Sequence, residues 1–145
     1  MITQFQGEYR FLSNFHPIKI TDGKFIYPSV EHAYQAHKTL SERDRQRISY
    51  MHTPGAAKRA GQGLVMRDDW HDVKNDIMLG FQRQKYTDTS QSNLGERLLA
   101  TGDQQITEGN RWHDNYWGVC SCYRCSNGQN HMGKILMLIR EELRS

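Results

Sequence analysis

Residues 27–38, YPSVEHAYQAHK, carry the strongest local evidence for how this chain folds. Pro28 and Ser29 are typical of a helix start, because proline does not continue a helix backwards and a serine hydroxyl caps free backbone amides. Glu31, Gln35 and Lys38 then follow at i, i+4 and i+7, which places a carboxylate, an amide and an amine on one helical face. Such a face suits acid–base or imine chemistry, and it also suits a solvated surface whose charge pairs contribute little.

A second stripe on the same predicted helix is more apolar and would face the core. It consists of Val30, Ala33, His37 and Leu40. Upstream, an Asp-Gly pair within residues 18–27 predicts a β-hairpin, since this pair favours a tight turn between strands. Residues 4–10 are a candidate for a further strand.

Further helices are predicted where a capping residue precedes an apolar period typical of a helix. Their predicted starts are Ser41, Thr53, Asp68 or Asp69, Ser90 and about His131, and the predicted stops include Met51, Gly61 or Gly63, Gly102 and Leu143. We therefore predict one domain over residues 1–145 with a mainly α, small α+β fold. It would contain about six short helices that cover a small N-terminal β-hairpin.

The composition argues against several classes of protein. The 145-residue chain has a net charge of +3, whereas a dedicated nucleic-acid binder usually has a stronger basic face. No apolar run approaches the roughly 20 residues that a membrane span needs, and the first residues do not form a signal pattern. Three cysteines between positions 120 and 125 do not resemble a secreted disulfide framework, so we predict a cytoplasmic protein with no membrane partner.

Two segments hold aromatic candidates for a site. Trp70 and Lys74 lie at i and i+4, so an indole and an amine would form one wall of a pocket for a flat base, although large aromatics usually pack in a core. Residues 112–118, WHDNYWG, follow neither a helical nor a strand period, and loops with aromatics and a carboxylate often form sites. The alternative is a hydrophobic lid in which Asp114 caps backbone amides.

Two shorter motifs offer polar contacts. Asn14 would bind the edge of a sugar or base, or it would only order a turn. Lys58 and Arg59 lie in the first turns of the helix predicted after Thr53, where free amides and positive charge suit a phosphate. A solvated surface helix is the alternative.

Cys120, Cys122 and Cys125, together with His131, offer the Cys₃His ligands of a structural zinc site. The C-x-C step departs from the usual C-x₂₋₄-C spacing, so three free thiols in an ordered loop are the alternative. A catalytic zinc is disfavoured, because no open three-ligand site with a base is evident nearby. The sequence therefore leaves the zinc question open, and it assigns no metal ligand and no cofactor.

Taken together, these motifs resemble the NADAR (YbiA-like) family of N-glycosidases over most of the chain. The matching pieces are residues 11–15, 27–32, 35–36 with Lys38, 53–54 with 57–58, 69–70 with 73–74 and Met78, 98–102, Asp114, 117–118, and 133–137 with Arg140. Each piece is weak alone, and the resemblance depends on their order and spacing. The cysteine segment before His131 departs from the simplest family pattern.

The resemblance implies a compact multihelical fold and hydrolysis of bonds that join ribose C1′ to an exocyclic amine. Two substrate classes are associated with the family: ribosylamino-pyrimidine phosphates of early riboflavin biosynthesis, and ADP-ribose on the guanine amino group of DNA or RNA. The second class would pair the protein functionally with a DNA ADP-ribosyltransferase toxin. By position, the resemblance points to Glu31, Trp70, Asp114 and Trp117 as site residues.

Two catalytic routes fit these residues. Glu31 and Asp114 would act as a carboxylate pair, one protonating the leaving amine or the sugar ring and the other activating water. Alternatively, Lys38 or Lys74, with a pKa depressed by burial or a nearby cation, would attack C1′ of the opened sugar and form a Schiff base. The candidate catalytic residues are Glu31, Lys38, Lys74 and Asp114, and the candidate substrate-binding residues are Asn14, Tyr27, Gln35, Lys58, Trp70, Trp117 and Gly118.

The sequence is also compatible with two functions of other classes. A zinc-stabilised nucleic-acid-binding module would stack bases on its aromatics and contact phosphates with its basic residues. A sensor would bind free ADP-ribose or NAD without cleaving it. The modest net charge counts against the first, and retained affinity without any release of base would mark the second.

Overall fold

The computed structural model describes residues 1–145 and contains six α-helices, one 3₁₀ helix and four two-residue strands. The elements are the 3₁₀ helix at Gly7–Leu12, β1 at Ile20–Thr21, β2 at Ile26–Tyr27, α1 at Val30–Ala36, α2 at Glu42–Ser49, α3 at Pro54–Gln62, α4 at Trp70–Thr87, α5 at Leu94–Leu99, β3 at Gly109–Asn110, β4 at Val119–Cys120 and α6 at His131–Leu143. The predicted mainly helical fold is confirmed. No helix combines the length and the hydropathy that a membrane crossing requires.

Contacts between Cα atoms divide the chain into two compact units. We name Asn14–Gln91 the central unit, and Met1–Ser13 together with Ser92–Ser145 the terminal unit. Each unit is described by itself.

The central unit is organised around α1. This helix contacts α2, α3 and α4, and all seven of its residues are buried. The Ser29 hydroxyl fixes its start by accepting the backbone N–H of His32 at 3.2 Å. The antiparallel hairpin β1–β2 pairs Ile20 with Tyr27 and leads directly into this cap. Both the predicted hairpin and the predicted helix start are confirmed.

Two further helix starts in the central unit follow their predicted caps. The Ser41 hydroxyl accepts the N–H of Asp44 at 3.3 Å at the start of α2, and the Thr53 hydroxyl accepts that of Ala56 at 3.1 Å at the start of α3. These caps satisfy backbone donors that have no partner within the first helical turn.

The terminal unit packs α5 against α6 and contains the parallel pair β3–β4. Leu98, Ile106 and Leu136 have no accessible surface and form part of its core. Arg140 is also buried, and its Nη1 donates to Thr101 Oγ1 at 2.9 Å, so this cation has a hydrogen-bond acceptor inside the unit.

The predicted strand at residues 4–10 is wrong. Gly7, with a φ of 57°, begins the 3₁₀ helix instead, and the nearby β-bridge is made by Ile2 with Ile106. Glycine adopts this left-handed conformation without the steric cost that a side chain would add.

Two other local predictions in helical segments are also wrong. The helix predicted from Ser90 begins at Leu94, because Ser90 is held in a turn in which Asp88 Oδ1 accepts its backbone N–H at 3.0 Å. Leu40 was expected to face the core, yet it is 65% exposed. The reason is that α1 ends at Ala36, so the helical period does not continue to position 40.

Candidate active site

The first group of predicted site residues lies on α1. The backbone N–H of Glu31 donates to the carbonyl oxygen of Asn14 at 3.1 Å, and Glu31 is only 8% exposed. Gln35 Nε2 donates to Glu31 Oε1 at 2.8 Å, as the i, i+4 spacing predicts. This hydrogen bond holds the carboxylate in one orientation. We name Glu31, Gln35 and Lys38 the Glu31 face.

Close packing of α1 against α3 fixes the Gln35 amide. Its Oε1 is buried without a hydrogen-bond partner and lies against Gly61, where a Cβ would overlap it. A larger residue at position 61 would therefore displace the Gln35 amide from its present position. The amide is held between Gly61 on one side and the Glu31 carboxylate on the other.

Lys38 lies in the turn that follows α1. Its backbone N–H donates to the Gln35 carbonyl at 3.2 Å, and its own carbonyl accepts the N–H of Arg67 at 2.7 Å. Lys38 Nζ lies 5.7 Å from the centroid of the Tyr34 ring, over its face. The turn thus has a defined path that keeps Lys38 beside α1.

The charges around Lys38 come from three helices. Burial lowers the pKa of the Lys38 amine, the Glu31 carboxylate opposes that shift, and repulsion from Lys58 on α3 and Lys74 on α4 adds to it. The structure therefore brings all four predicted residues within electrostatic reach of one another.

Trp70 supports this region from within the core. It is 3% exposed, and its ring centroid lies 5.1 Å from that of Tyr34 at an interplanar angle of 53°. A ring so deeply buried offers little surface for stacking a substrate base. The structure places Trp70 behind Tyr34, which itself lies under the Lys38 amine.

Asn14 is partly buried and its side chain is already engaged within the central unit. Its Nδ2 points to Met78 Sδ at 3.8 Å, and its Oδ1 accepts a hydrogen bond from Gln82 Nε2. Together with its backbone carbonyl, these contacts connect the start of α1 to α4. The residue orders the backbone next to Glu31.

Tyr27 does not fit the predicted role of a substrate contact. It has no accessible surface, and its hydroxyl donates to Asp22 Oδ2 at 2.7 Å, where His37 Nε2 also lies at 2.9 Å. Burial raises the pKa of Asp22, but hydrogen bonds from Phe25, Tyr27 and His37 outweigh it and leave that pKa well below its ordinary value. The sequence pattern could not show that the hydroxyl is used internally.

The predicted residues of the terminal unit lie in the loop between β3 and β4. Asp114 Oδ1 accepts the backbone N–H groups of Tyr116 at 3.1 Å and Trp117 at 3.0 Å, so this carboxylate caps the loop. Trp117 packs edge-to-face on Tyr116 with ring centroids 5.0 Å apart. Gly118 is buried against the carbonyl of Glu108, which leaves no room for a side chain there.

The predicted Cys₃His set contains the wrong histidine. His131 is not near the thiols: its Nε2 lies 2.9 Å from Gln129 Oε1, and its ring packs on Tyr116 at 4.4 Å between centroids. The histidine beside Cys120, Cys122 and Cys125 is His113. Proximity in the sequence did not favour either residue, and only the fold of the loop separates them.

Sequence reasoning also missed Lys85. It follows Phe81 by four residues on the buried face of α4, and it is 1% exposed. Burial lowers its pKa to about 7. The signal was present, because the stripe that contains Trp70, Ile77 and Phe81 reaches position 85 when it is extended by one turn.

The family model described as NADAR domain matches residues 2–144. The chain belongs to the NADAR family. An N-glycosidase of Nostoc punctiforme is 36% identical over 142 residues, with 94% of this chain and 87% of that protein covered. The N-glycosidase YbiA of Escherichia coli is 35% identical over 140 residues, with 94% and 82% covered.

A longer relative and a solved structure extend this comparison. A riboflavin biosynthesis protein of Vibrio vulnificus is 34% identical over 135 residues; the match covers 92% of this chain but only 35% of the relative. The NMR structure of Escherichia coli YbiA superposes with a TM-score of 0.83 at 31% identity, covering 99% of this chain and 85% of that one. The NADAR fold inferred from the sequence is thus confirmed.

Proposed function

We propose that this NADAR protein is an N-glycosidase that hydrolyses the bond between ribose C1′ and an exocyclic amine, with Lys38 as nucleophile and Glu31 as proton-transfer group. The coarse assignment, a hydrolase of N-glycosyl compounds, follows from the family and from the relatives named N-glycosidases. The Glu31 face supports the finer assignment, in which Lys38 is the nucleophile and Glu31 transfers the proton. On this face the buried Glu31 carboxylate is oriented by Gln35, and it lies near the Lys38 amine, whose pKa is lowered. Only a neutral amine attacks carbon, so this shift favours the nucleophilic role.

The proposed route begins with opening of the sugar ring. Protonated Glu31 gives its proton to the ring oxygen as the C1′–O4′ bond breaks, and the exocyclic nitrogen lone pair forms a C1′=N bond. The neutral Lys38 amine then adds to C1′. A proton moves from the Lys38 nitrogen to the substrate nitrogen, which leaves as the free amine.

The step just described leaves a protonated imine between Lys38 and C1′. Water adds to C1′, the C1′–Lys38 bond breaks, and the released aldehyde closes again to ribose. The proton freed in this step returns to Glu31. One water is consumed overall, and both side chains recover their initial states.

Lys58 and Lys74 are proposed to bind substrate phosphate. Both lie close enough to Lys38 to shift its pKa, and both substrate classes carry phosphate next to the reacting ribose. A bound phosphate would fix the distance between the sugar and the Lys38 amine. Lys74 is thus assigned to binding in this proposal, although its amine was also a candidate nucleophile.

The substrate class is proposed from the relatives. The Vibrio vulnificus protein is named for riboflavin biosynthesis, which favours a ribosylamino-pyrimidine phosphate. ADP-ribose on guanine carries the same type of C1′–N bond and is the second candidate substrate. Only that second substrate would connect the protein to a DNA ADP-ribosyltransferase toxin.

The decisive experiment offers both substrates to the pure protein. A ribosylamino-pyrimidine phosphate and a guanine-ADP-ribosylated oligonucleotide are incubated separately, and release of the free amine is followed by mass spectrometry. We expect turnover of at least one, with losses on the order of 10²–10⁴-fold in Glu31→Gln and Lys38→Met, and wild-type rates in Lys134→Met, an exposed lysine on α6. Retained ligand affinity with no release from either substrate would instead support the sensor.

Reductive trapping separates the two chemical routes. Borohydride added during turnover should reduce the imine and leave the sugar covalently attached to the peptide that contains Lys38. The Lys38→Met variant is the matched control and should show no adduct. Full turnover without an adduct in the wild-type protein would refute the lysine route and favour direct attack of water on C1′.

A further inference from the structure

A second cluster of reactive side chains lies in the terminal unit, in the segment 109–125, which we name the cysteine loop. The donor atoms of His113, Cys120, Cys122 and Cys125 all lie within 4.8 Å of one another. His113 Nδ1 is 3.3 Å from Cys125 Sγ, 3.4 Å from Cys122 Sγ and 3.7 Å from Cys120 Sγ. No disulfide joins these thiols.

Hydrogen bonding to the imidazole does not explain this convergence. A neutral imidazole nitrogen has either one proton to donate or one lone pair with which to accept, so it satisfies one sulfur and not three. Three sulfurs placed around one nitrogen at nearly equal distances are instead the arrangement of ligands around a common centre.

The nitrogen–sulfur distances agree with a tetrahedral zinc ion. Zn–S bonds of about 2.3 Å and Zn–N bonds of about 2.05 Å at tetrahedral angles place each sulfur about 3.6 Å from the nitrogen. The three observed separations, 3.3, 3.4 and 3.7 Å, fall around that value. Three thiolates and one imidazole are also the donor set that selects zinc among the common divalent ions.

The local chain builds the site from two short segments. Cys122 and Cys125 have the C-x₂-C spacing of a zinc knuckle, and the N–H of Cys125 donates to the carbonyl of Cys122 at 3.2 Å. The N–H of Cys122 points to Cys120 Sγ at 3.5 Å, which suits a thiolate.

His113 reaches the thiols from the other segment. Its φ of 69° lies in the left-handed region, which is uncommon for a residue other than glycine. Asn110 supports this conformation, since its Oδ1 accepts the N–H groups of Trp112 at 3.2 Å and Asp114 at 3.1 Å on either side of His113. The strained backbone is held in place by its neighbours and aims the imidazole at the three sulfurs.

We propose that His113, Cys120, Cys122 and Cys125 bind one structural Zn²⁺ ion. The three thiols lose their protons on binding, and the neutral imidazole coordinates through Nδ1, so no electron transfer is involved. Four protein ligands leave no open position, which makes the ion structural rather than catalytic. This inference does not depend on the proposed N-glycosidase activity.

The ion would close the segment that contains Asp114 and Trp117. Both residues lie between the ligands His113 and Cys120, and the parallel pair β3–β4 holds the two ends of that segment together. Zinc would thus add a second closure to this loop, because the β3–β4 pairing involves only two residues on each strand. Removal of the ion is expected to loosen this loop first.

The test uses the full chain purified without a polyhistidine tag. Elemental analysis should find about one zinc per chain in the wild type and in His131→Asn, and a large loss in His113→Asn and Cys122→Ser. His131→Asn is the matched control, because it removes the other nearby histidine. Loss of zinc in His131→Asn with retention in His113→Asn would overturn the ligand set, and iron in place of zinc would overturn the metal.

A second measurement covers variants that fail to fold. The wild-type protein is stripped of metal under reducing, anaerobic conditions and titrated with Co²⁺. Tetrahedral thiolate ligation should give thiolate-to-cobalt absorption in the near ultraviolet together with visible d–d bands, saturating near one equivalent. Zinc should also protect all three thiols from alkylation until a chelator is added. The site would be refuted if the purified protein contained no zinc and the stripped protein also took up no cobalt.

Discussion

The Glu31 face is built on one helix and the turn after it, whereas the cysteine loop collects its four donors from two segments joined by a pair of two-residue strands. In the first, the spacing of Glu31 and Gln35 sets their contact directly, at 2.8 Å. In the second, His113 and Cys125 are twelve residues apart and meet at 3.3 Å only because the chain turns back on itself. Helical geometry makes local contacts predictable, but loop geometry depends on distant pairing and on unusual backbone angles.

Lys85 tests whether burial alone is enough to give a lysine a role in the reaction. It is more deeply buried than Lys38, and burial lowers its pKa to about 7. Because the unfolded chain protonates this amine at an ordinary lysine pKa, the native state loses stability as pH falls from about 10 towards 7. We expect Lys85→Met to gain stability relative to the wild type as pH falls from about 10 towards 7, because only the wild type has to keep this amine uncharged in the folded state.

Urea unfolding at pH 7 and pH 10 checks this prediction for Lys85→Met. The gain over the wild type should shrink as pH rises, because both states are then increasingly neutral at position 85. A difference that does not change with pH would contradict the assignment of the cost to a buried amine. Release of the free amine should be unaffected if Lys85 takes no part in the reaction.

Gly61→Ala should break the Glu31 face through packing alone. The added methyl would overlap the Gln35 amide oxygen and force that buried side chain out of its place beside Glu31, and overpacking of this kind costs typically about 1–3 kcal/mol. Gly80→Ala is the matched control: it lies in α4 with open space around it, so it should stabilise by roughly 0.5–1 kcal/mol. Thermal unfolding of both variants gives the comparison, and equal shifts of the same sign would refute the steric argument.

Asp114 tests whether its carboxylate serves the loop or the reaction. Asp114→Asn keeps an oxygen for the N–H groups of Tyr116 and Trp117, whereas Asp114→Ala removes it and should cost about 1 kcal/mol, as the loss of a cap does. We expect the Asn variant to retain most of its activity under the lysine route. A large fall in kcat with unchanged unfolding would instead assign the carboxylate a chemical role.

The smallest expected effect is a shift in the pH profile. Since the neutral form of Lys38 is the active one, kcat/KM should rise with pH through a pKa below the ordinary lysine value. Lys58→Gln and Lys74→Gln each remove a positive neighbour, so each should move this acid limb to higher pH. Lys24→Gln, at an exposed lysine of the β1–β2 turn, should leave the limb in place. If the acid limb of the pH profile shifts in neither Lys58→Gln nor Lys74→Gln, the electrostatic coupling of these lysines to Lys38 is contradicted.

Much of the central unit could be predicted because its signals are local. Ser29, Ser41 and Thr53 each cap the helix that follows, as a hydroxyl three residues before a free backbone N–H should. Predictions failed where the outcome depended on which side chains meet in the folded unit. Tyr27 matched the family pattern, yet its hydroxyl is used by Asp22 inside the unit.

The sequence by itself determined the mainly helical fold, the helix starts at Ser29, Ser41 and Thr53, and the alignment of Glu31 with Gln35. These follow from capping and from a period of 3.6 residues, which act within one or two turns. Only the tertiary structure decided that Lys58 and Lys74 share the surroundings of Lys38, and that His113 rather than His131 faces the thiols. Both outcomes depend on how separate segments pack, because electrostatic and coordination geometry act through space rather than along the chain.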